Sequence, residues 1–472
     1  MRAVRYWMTL GLLLVAVGCV GGTDGDSSEG KLVGDPVPTP PLPTPLTWNP
    51  EAGGTLSVSE IDLSPCDGVN TWTGSLSAAQ LIEASAAACI VGSVSVVDTP
   101  AVAVQLVDVE VILGDLEVLF ADEATQIRMP KLRVVTGNVQ LELNRNLESI
   151  DLRALEIIGG DLVLTSQSEL DSLRGLDALR VVVGDVIIQD NDELISLDGL
   201  GSLEAVGGSL IIFGNNALAH LSEFEKLAWV SGTVEIKHNK SMNSISGLQS
   251  LESIGAHLFI SDQTALKSLS GLQRLTSIAG TLGLTRTGLT ELSGLSGLDN
   301  VGNDVWLTEN IDLVGLDGLS ALRAIGNMLR IEQSDALTAL GGLSGLAELR
   351  QLVLLRNRSL SDLSGLGAIR SMTSSVVVEQ CDSLQSLVGL QNLERAGALR
   401  VVDNRALREF ELDALSALGA EGPDGSNGGS LFVQLNPELP TCAVRSFATA
   451  LRDKGWEGPE TIVDNGPGCE TP

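Results

Sequence analysis

The sequence predicts a mainly β fold, a parallel β-solenoid of about fifteen rungs with short helical, disulfide-bonded caps. The prediction depends on two features. A unit of 22 to 24 residues recurs along most of the 472-residue chain. Each unit contains an apolar-x-apolar triplet, an alternation that is typical of a half-buried β-strand. Aromatic residues make up only 3% of the chain, which suits a core built from Leu, Ile and Val.

The repeat is clear in "GDVIIQDNDELISLDGLGSLEAV", which begins at Gly184. No single rung can bury its own leucines, so the rungs must stack; at about 4.8 Å per rung they form a rod about 65–70 Å long. The last step is 32 residues, and its extra length falls in a Gly-rich stretch after Leu418, a predicted surface loop. One residue ends the strand of each rung, and these residues define the register: Val96, Val118, Leu141, Leu164, Ile188, Ile212, Ile236, Ile260, Leu284, Leu307, Ile331, Leu354, Val378, Val401 and Val433.

A polar residue usually stands three positions after the strand-ending residue. An amide side chain that turns inward there can bond backbone N–H and C=O groups that the bend leaves without strand partners. Cys381 occupies this position in its rung, so we expect a reduced, shielded thiol that replaces Asn rather than a reactive cysteine. The positions of this Asn ladder are Asn144, Asn191, Asn215, Asn239, Asn310, Asn357, Cys381, Asn404 and Asn436, with Gln167, Gln263, Thr287 and Ser334 in the intervening rungs.

Both ends of the repeat carry a predicted helix that would cover the open core. In the N-terminal cap, 61–91, Ser77 to Gln80 predicts a capping box that opens an Ala-rich helix. In the C-terminal cap, 437–472, Thr441 is the expected helix N-cap and Gly455 the expected helix end.

Cysteines bracket each cap, and an exported protein permits disulfides. Four cysteines allow three pairings. The economical choice is Cys66–Cys89 with Cys442–Cys469, because each pair is local and closes one cap.

The caps and the repeat together resemble a known protein module. Cysteine-flanked caps and the stretch "SLDGLGSLEAVGGSLIIFGNNAL", from Ser196, look like the receptor L domain, the leucine-rich β-helix-like module of insulin- and EGF-receptor ectodomains. The resemblance covers about 66 to 469 and implies a right-handed solenoid over 92–436. Hormone binding does not carry over, since this chain lacks a Cys-rich module, a kinase and a membrane span. Ordinary leucine-rich repeats are the alternative fold.

The N-terminal sequence predicts export and a lipid anchor. Arg2 and Arg5 precede a short apolar core, and "AVGC" resembles a bacterial lipobox, so 1–18 is the expected signal peptide and Cys19 the lipidated residue. An ordinary secretory signal with a chance cysteine is the alternative. Residues 19–60 are Gly/Ser-rich and then Pro-rich, which predicts a disordered tether. We therefore expect a protein of the cell envelope, held to the outer membrane by its N-terminal lipid.

The net charge of −31 argues against nucleic acid, whose phosphates need Lys and Arg. The three histidines, His220, His238 and His257, form no zinc pattern, and we expect no metal and no cofactor. The sequence contains neither a Gly-x-Ser-x-Gly elbow nor a P-loop, and the outward strand positions carry no paired carboxylates. We expect no enzyme, although some β-solenoids are polysaccharide-active.

Ile187, Ile211, Phe213, Phe259 and Trp306 could form an apolar strip on an outer sheet face. An exposed apolar patch usually marks an interaction site. The alternative is that such residues simply favour strands, with the strip broken by Glu235 and Gly283.

Two functions fit these observations. The first is a lipid-anchored cell-surface recognition or adhesion protein that binds a protein or glycan ligand through a rigid solenoid face. The second is a structural envelope spacer that self-associates. The long tether favours the first, because it presents a head rather than fixing it in a wall.

Overall fold

The computed structural model describes residues 31–33, 63–67, 70–419 and 429–467. Within them the protein is a parallel β-solenoid of about fourteen turns, with a single α-helix. The predicted fold class is therefore confirmed. Fifteen equivalent strands delimit fourteen complete turns, which accounts for the difference between fifteen rungs and fourteen turns.

The longest sheet, here called the long sheet, contains at least one strand from each rung. Val96 pairs with Val118, and the pairing continues from coil to coil as far as Val401 with Val433, in the predicted register throughout. Its strands are Leu76–Ser77, Val94–Val97, Leu116–Leu119, Val139–Glu142, Leu162–Thr165, Val186–Gln189, Leu210–Phe213, Val234–Lys237, Leu258–Ser261, Leu282–Thr285, Val305–Thr308, Met328–Glu332, Gln351–Leu355, Ser371–Glu379, Arg395–Val402, Ala417–Leu418, Leu431–Gln434 and Glu460–Val463.

The long sheet extends beyond the predicted solenoid at both ends. Leu76–Ser77 pairs with Val94–Val97, and Glu460–Val463 pairs with Leu431–Gln434. The strand Glu460–Val463 lies within the predicted C-terminal cap, 437–472. The last strand escaped prediction because a helix separates it from the repeat and its sequence, Glu-Thr-Ile-Val, lacks the leucines that follow the other strands.

A second sheet, the short sheet, forms another side of the solenoid. Apart from Lys31–Val33, which pairs antiparallel with Thr71–Thr73, its strands run parallel. The strands are Lys31–Val33, Thr71–Thr73, Cys89–Val91, Val111–Ile112, Val134–Val135, Ile157–Ile158, Val181–Val182, Ala205–Val206, Trp229–Val230, Ser253–Ile254, Ser277–Ile278, Asn300–Val301 and Ala324–Ile325.

The third side, here called the turn side, changes character along the rod. The first coils form the three-stranded sheet Ala103–Gln105, Gln126–Arg128 and Ser149–Asp151. In several later coils the x-Gly-Leu motif forms a 3₁₀ turn at this position instead of a strand. A Cβ on Gly365 would stand 1.7 Å from the carbonyl oxygen of Leu340, so only glycine permits the coils to approach this closely. The 3₁₀ turns of this side are Ser246–Leu248, Ser293–Leu295, Asp317–Leu319, Gly341–Leu343 and Ser364–Leu366.

The core is a set of stacked columns of Leu, Ile and Val. Side chains such as Leu210, Ile212 and Leu218 are fully buried, and each lies above its equivalent in the preceding coil. The core is continuous from Trp72 to Trp456. Because neighbouring coils share their buried surface, stability comes mainly from contacts between adjacent rungs.

A left-handed corner follows sixteen strands of the long sheet, the first being Val94–Val97 and the last Glu460–Val463. The residue two positions after each strand-ending residue has a positive φ, from Asp98 (46°) to Asp464 (54°). Only Gly214 among these sixteen corner residues is glycine. An L-residue in this conformation costs about 1–2 kcal/mol, so other interactions must hold the corner in place.

The N-terminal cap differs from its prediction. Gln80 Oε1 accepts from the Ser77 N–H (3.0 Å), as a capping box requires, but the helix that follows is only the 3₁₀ turn Ala78–Gln80. The chain must return to the short sheet at Cys89, which leaves too few residues for a stable α-helix. The predicted disulfide Cys66–Cys89 is present, with Cα atoms 5.0 Å apart, and both cysteines are buried.

The C-terminal cap is the helix Thr441–Asp453, which packs Val444, Ala448 and Leu451 onto the end of the core. Pro440, rather than Thr441, is its N-cap. The Thr441 hydroxyl instead donates to the Gly466 carbonyl (2.8 Å), which ties the helix to the end of the chain.

The helix ends in a Schellman motif. The Gly455 N–H bonds the Arg452 carbonyl (2.9 Å), and the Trp456 N–H bonds the Leu451 carbonyl (3.0 Å). The φ of Gly455 is 90°, which explains the glycine and agrees with its predicted place at the helix end.

Several predicted features lie outside the described residues. They are the signal peptide 1–18, the lipidated Cys19, most of the tether 19–60, and Cys469. Cys442 is disulfide-bonded, while its pairing with Cys469 stays a prediction. In the part of the chain that the structure describes, no helix is long and apolar enough to cross a membrane.

Candidate recognition surface

The Asn ladder explains how the left-handed corners are held. Asn215 Oδ1 accepts from the N–H of Asn191 in the preceding coil (3.1 Å), and its Nδ2 donates to the Ile188 carbonyl (2.8 Å). Both backbone groups are thereby satisfied inside the core. The same two bonds recur at Asn144, Asn191, Asn239, Asn310, Asn357, Asn404, Asn436 and also Asn465, which the sequence analysis missed.

Cys381 lies within this ladder as predicted. Its side chain is fully buried and is a free thiol. The thiol makes a weak bond to the Glu379 carbonyl (3.7 Å), and the Cys381 N–H donates to Asn404 Oδ1 (3.0 Å). Burial raises the pKa of the Cys381 thiol from 9.0 to about 12, so the thiolate needed for nucleophilic chemistry is disfavoured.

A second polar ladder runs along the start of the long-sheet strands, and the sequence analysis did not find it. Asp115 Oδ1 accepts from the Asn138 N–H (2.8 Å), Asn138 Oδ1 from the Asp161 N–H (2.8 Å), and Asp161 Oδ1 from the Asp185 N–H (2.7 Å). The signal was the recurring Asp, Asn, Ser or Thr immediately before most of these strands. Two ladders therefore fix both ends of the strands.

The outward side of the long sheet, here called the outer face, contains all five residues of the predicted strip. Ile187, Ile211, Phe259 and Trp306 share one column, and Phe213 lies in the next column. All five are half-buried. Glu235 separates the isoleucines from Phe259 and so divides the strip into two clusters.

Gly283 does not break the strip, although its missing side chain leaves a gap in the column of outward residues. The rings of Phe259 and Trp306, here called the aromatic pair, approach to 6.1 Å between centroids with an interplanar angle of 20°. A Cβ at position 283 would stand 2.6 Å from Phe259 Cδ1. The missing side chain thus lets Phe259 lean across the intervening strand towards Trp306.

Two histidines border these aromatic residues. The His257 ring stacks on Phe259 at 5.2 Å, and the His238 ring meets Phe213 edge-on at 5.4 Å. His257 Nδ1 accepts from the Thr281 N–H (3.0 Å), so the neutral ring carries its proton on Nε2. In the described residues, no group of three or more His, Cys, Asp or Glu could hold a metal ion.

Charged residues flank the aromatic pair on its C-terminal side. Arg330 pairs in register with Trp306 and bonds Glu332, which also bonds Arg356. Burial would raise the pKa of the Glu332 carboxyl, but hydrogen bonds from Arg330 and Arg356 hold that pKa below its ordinary value. The outer face therefore combines stacked rings with arginines, and both aromatic residues and arginine are enriched at protein interfaces.

Comparisons with known proteins give no further guidance, since the sequence matches no protein-family model and no curated protein.

Proposed function

We propose that the protein is a lipid-anchored recognition or adhesion protein of the bacterial cell surface, which binds a protein or glycan ligand through its outer face. The aromatic pair carries the proposal. Two large rings brought together over Gly283 and left half-exposed form a patch that strand propensity alone does not explain. Aromatic side chains dominate the energetics of interfaces.

The indole N–H of Trp306 adds to this argument. The nitrogen is buried and has no hydrogen-bond partner among the described residues. A buried donor left unpaired costs about 1–3 kcal/mol. A ligand that shifts the ring and accepts from this N–H would recover that cost, which favours binding at this point.

The stacked coils also suit recognition. Two hydrogen-bonded ladders fix the strands that display the outer face. A preorganised surface loses little conformational entropy when it binds.

The predicted tether and the lipid on Cys19 would hold this rigid face away from the membrane. Replacing Cys19 by Ser should then release the protein from the membrane fraction, and a variant that stays bound would show that the anchor lies elsewhere.

Envelope extract provides a test of binding. The full chain with Phe259→Asp and Trp306→Asp should lose at least about tenfold in affinity for its partner, as expected for central aromatic contacts. The control Gln140→Asp with Gln434→Asp adds two negative charges to the outer face several coils away from the aromatic pair, one on each side of it. This control should bind as wild type. Equal binding by the wild type and the aromatic variant would refute the proposal.

Self-association is the second candidate. Glu460–Val463 pairs only with Leu431–Gln434 among the described strands, so its other edge is open to another strand. Sedimentation of the purified chain would test this: concentration-dependent oligomers that Glu460→Pro abolishes would favour the spacer function, because the Glu460 N–H faces the open edge and proline removes it.

A further inference from the structure

A shallow groove lies on the turn side, on a different side of the solenoid from the aromatic pair. It has a volume of about 500 Å³ and crosses three consecutive coils. Its surface positions include Glu291 in the first coil, Val314, Gly315 and Asp317 in the second, and Gly341 in the third. This turn-side groove is distinct from the surface to which the proposed function is assigned.

Two glycines open the groove although the fold does not require them. A Cβ on Gly315 or Gly341 would meet no atom within 4 Å, and neither residue has a φ in the left-handed region. By contrast, a Cβ on the adjacent Gly342 would stand 1.9 Å from the Leu316 carbonyl oxygen. Packing therefore explains Gly342 but not Gly315 or Gly341, which share only their position in the groove.

The groove offers acceptors and negative charge. The carboxylates of Glu291 and Asp317 are exposed, and the ion pairs of the described residues include neither of them. Glu291 accepts from the Ser293 hydroxyl (2.7 Å). Lys267, the nearest lysine in the sequence, donates to Asp312 instead (3.1 Å). Glu291 precedes Gly315 by one coil and Asp317 follows it by two residues, so the backbone of each lies about 5–7 Å from Gly315.

An apolar residue completes the groove. Val314 is 57% exposed and lies beside Gly315. An aliphatic stem with a cationic head matches this arrangement, because the stem can lie on Val314 while the head meets the two carboxylates. The net charge of −31 further favours a basic partner.

We propose that the turn-side groove binds a lysine or arginine side chain of a partner polypeptide. Gly315 and Gly341 leave the space for the side chain, Val314 contacts its methylene groups, and Glu291 and Asp317 bind its charge. The site is independent of the aromatic pair, so a partner can use either surface alone.

Fluorescence anisotropy of a labelled peptide of alternating lysine and serine tests the site on the full chain at physiological salt. Gly315→Gln with Gly341→Gln fills the groove without changing charge or straining the backbone. This variant should bind the peptide about tenfold more weakly than wild type, a change of about 1.4 kcal/mol. Ser268→Gln with Ser386→Gln, at the position of Gly315 in two other coils, should bind as wild type.

A charge-matched comparison separates the groove from general attraction to an acidic protein. Glu291→Gln with Asp317→Asn should weaken binding about as much as filling the groove, whereas Glu169→Gln with Glu193→Gln should not. Wild-type affinity in the filled-groove variant would overturn the proposal. An equal loss in both charge variants would also overturn it, because the attraction would then be non-specific. Phe259→Asp with Trp306→Asp should leave peptide binding unchanged.

Discussion

At the scale of single residues, the Asn ladder determines the shape of the coil. Each corner except the one at Gly214 places an L-residue at positive φ, at a cost of about 1–2 kcal/mol. Each ladder Asn then bonds one N–H and one C=O that would otherwise be buried without partners. In these rungs the ladder amide therefore supplies hydrogen bonds inside the core that offset the cost of the strained corner.

Asn215→Ala should show how much one ladder residue contributes to the free energy of unfolding. The substitution leaves the Asn191 N–H and the Ile188 carbonyl buried without partners, at a cost of about 3 kcal/mol in unfolding free energy. Asn216→Ala removes only a surface bond to Asp192 and should cost less than about 0.5 kcal/mol. Chemical denaturation measures both; equal midpoints for the two variants would contradict the role of the ladder.

Cys381 should be inert in the native protein. Because burial raises its pKa to about 12, a thiol reagent at pH 8 should modify it only after denaturant opens the coil. Cys381→Asn should preserve or raise stability, since it restores the amide of the other rungs. Rapid modification of the folded protein would show that the thiol is accessible and would contradict its position in the ladder.

At the scale of elements, glycine controls how closely successive coils approach. Gly342 is needed because its Cβ would collide with the Leu316 carbonyl, while its neighbour Gly341 faces open space. Gly342→Ala should therefore destabilise by about 3 kcal/mol, as overpacking does, and Gly341→Ala should be neutral. Thermal unfolding of the two single variants measures the difference; the reverse order would refute this packing.

The sequence predicted the elements that repeat, because a fixed spacing of Leu and Asn specifies the register of every coil. It did not predict the left-handed corners, since residues as different as Phe120, Leu143 and Arg356 occupy them. It also missed the final strand, which lacks the repeat pattern. The pairing of Phe259 with Trp306 depends on Gly283, which in the sequence interrupts the column of apolar residues, and only three-dimensional proximity reveals it.

At the scale of the whole molecule, a net charge of −31 coexists with many carboxylates that pair with arginines, and Asp151 and Glu332 are among those with clearly lowered pKa values. The Arg153 hydrogen bond lowers the pKa of Asp151, and Arg330 and Arg356 lower that of Glu332 against the effect of burial. A lowered folded-state pKa stabilises the fold above the ordinary values of 3.8 and 4.5, and this contribution is lost as the pH falls through the folded-state pKa.

Acid titration of Glu332→Gln tests that linkage. The wild type should exceed the variant in unfolding free energy at pH 7, and the difference should shrink below the ordinary Glu pKa of 4.5. Taking the difference cancels the general effect of neutralising the other carboxylates. Glu193→Gln, at an exposed position, is the control and should differ little from wild type at either pH. A constant difference for Glu332→Gln would contradict the linkage.

The most direct measurement of the account replaces Trp306 with a photo-crosslinking benzoylphenylalanine in the full chain on living cells. Recognition through the outer face predicts a discrete adduct from position 306. It predicts none when benzoylphenylalanine replaces Gln140, which lies on the same face nearer the N-terminal end of the rod. Equal adducts from both positions, or none from position 306, would contradict it.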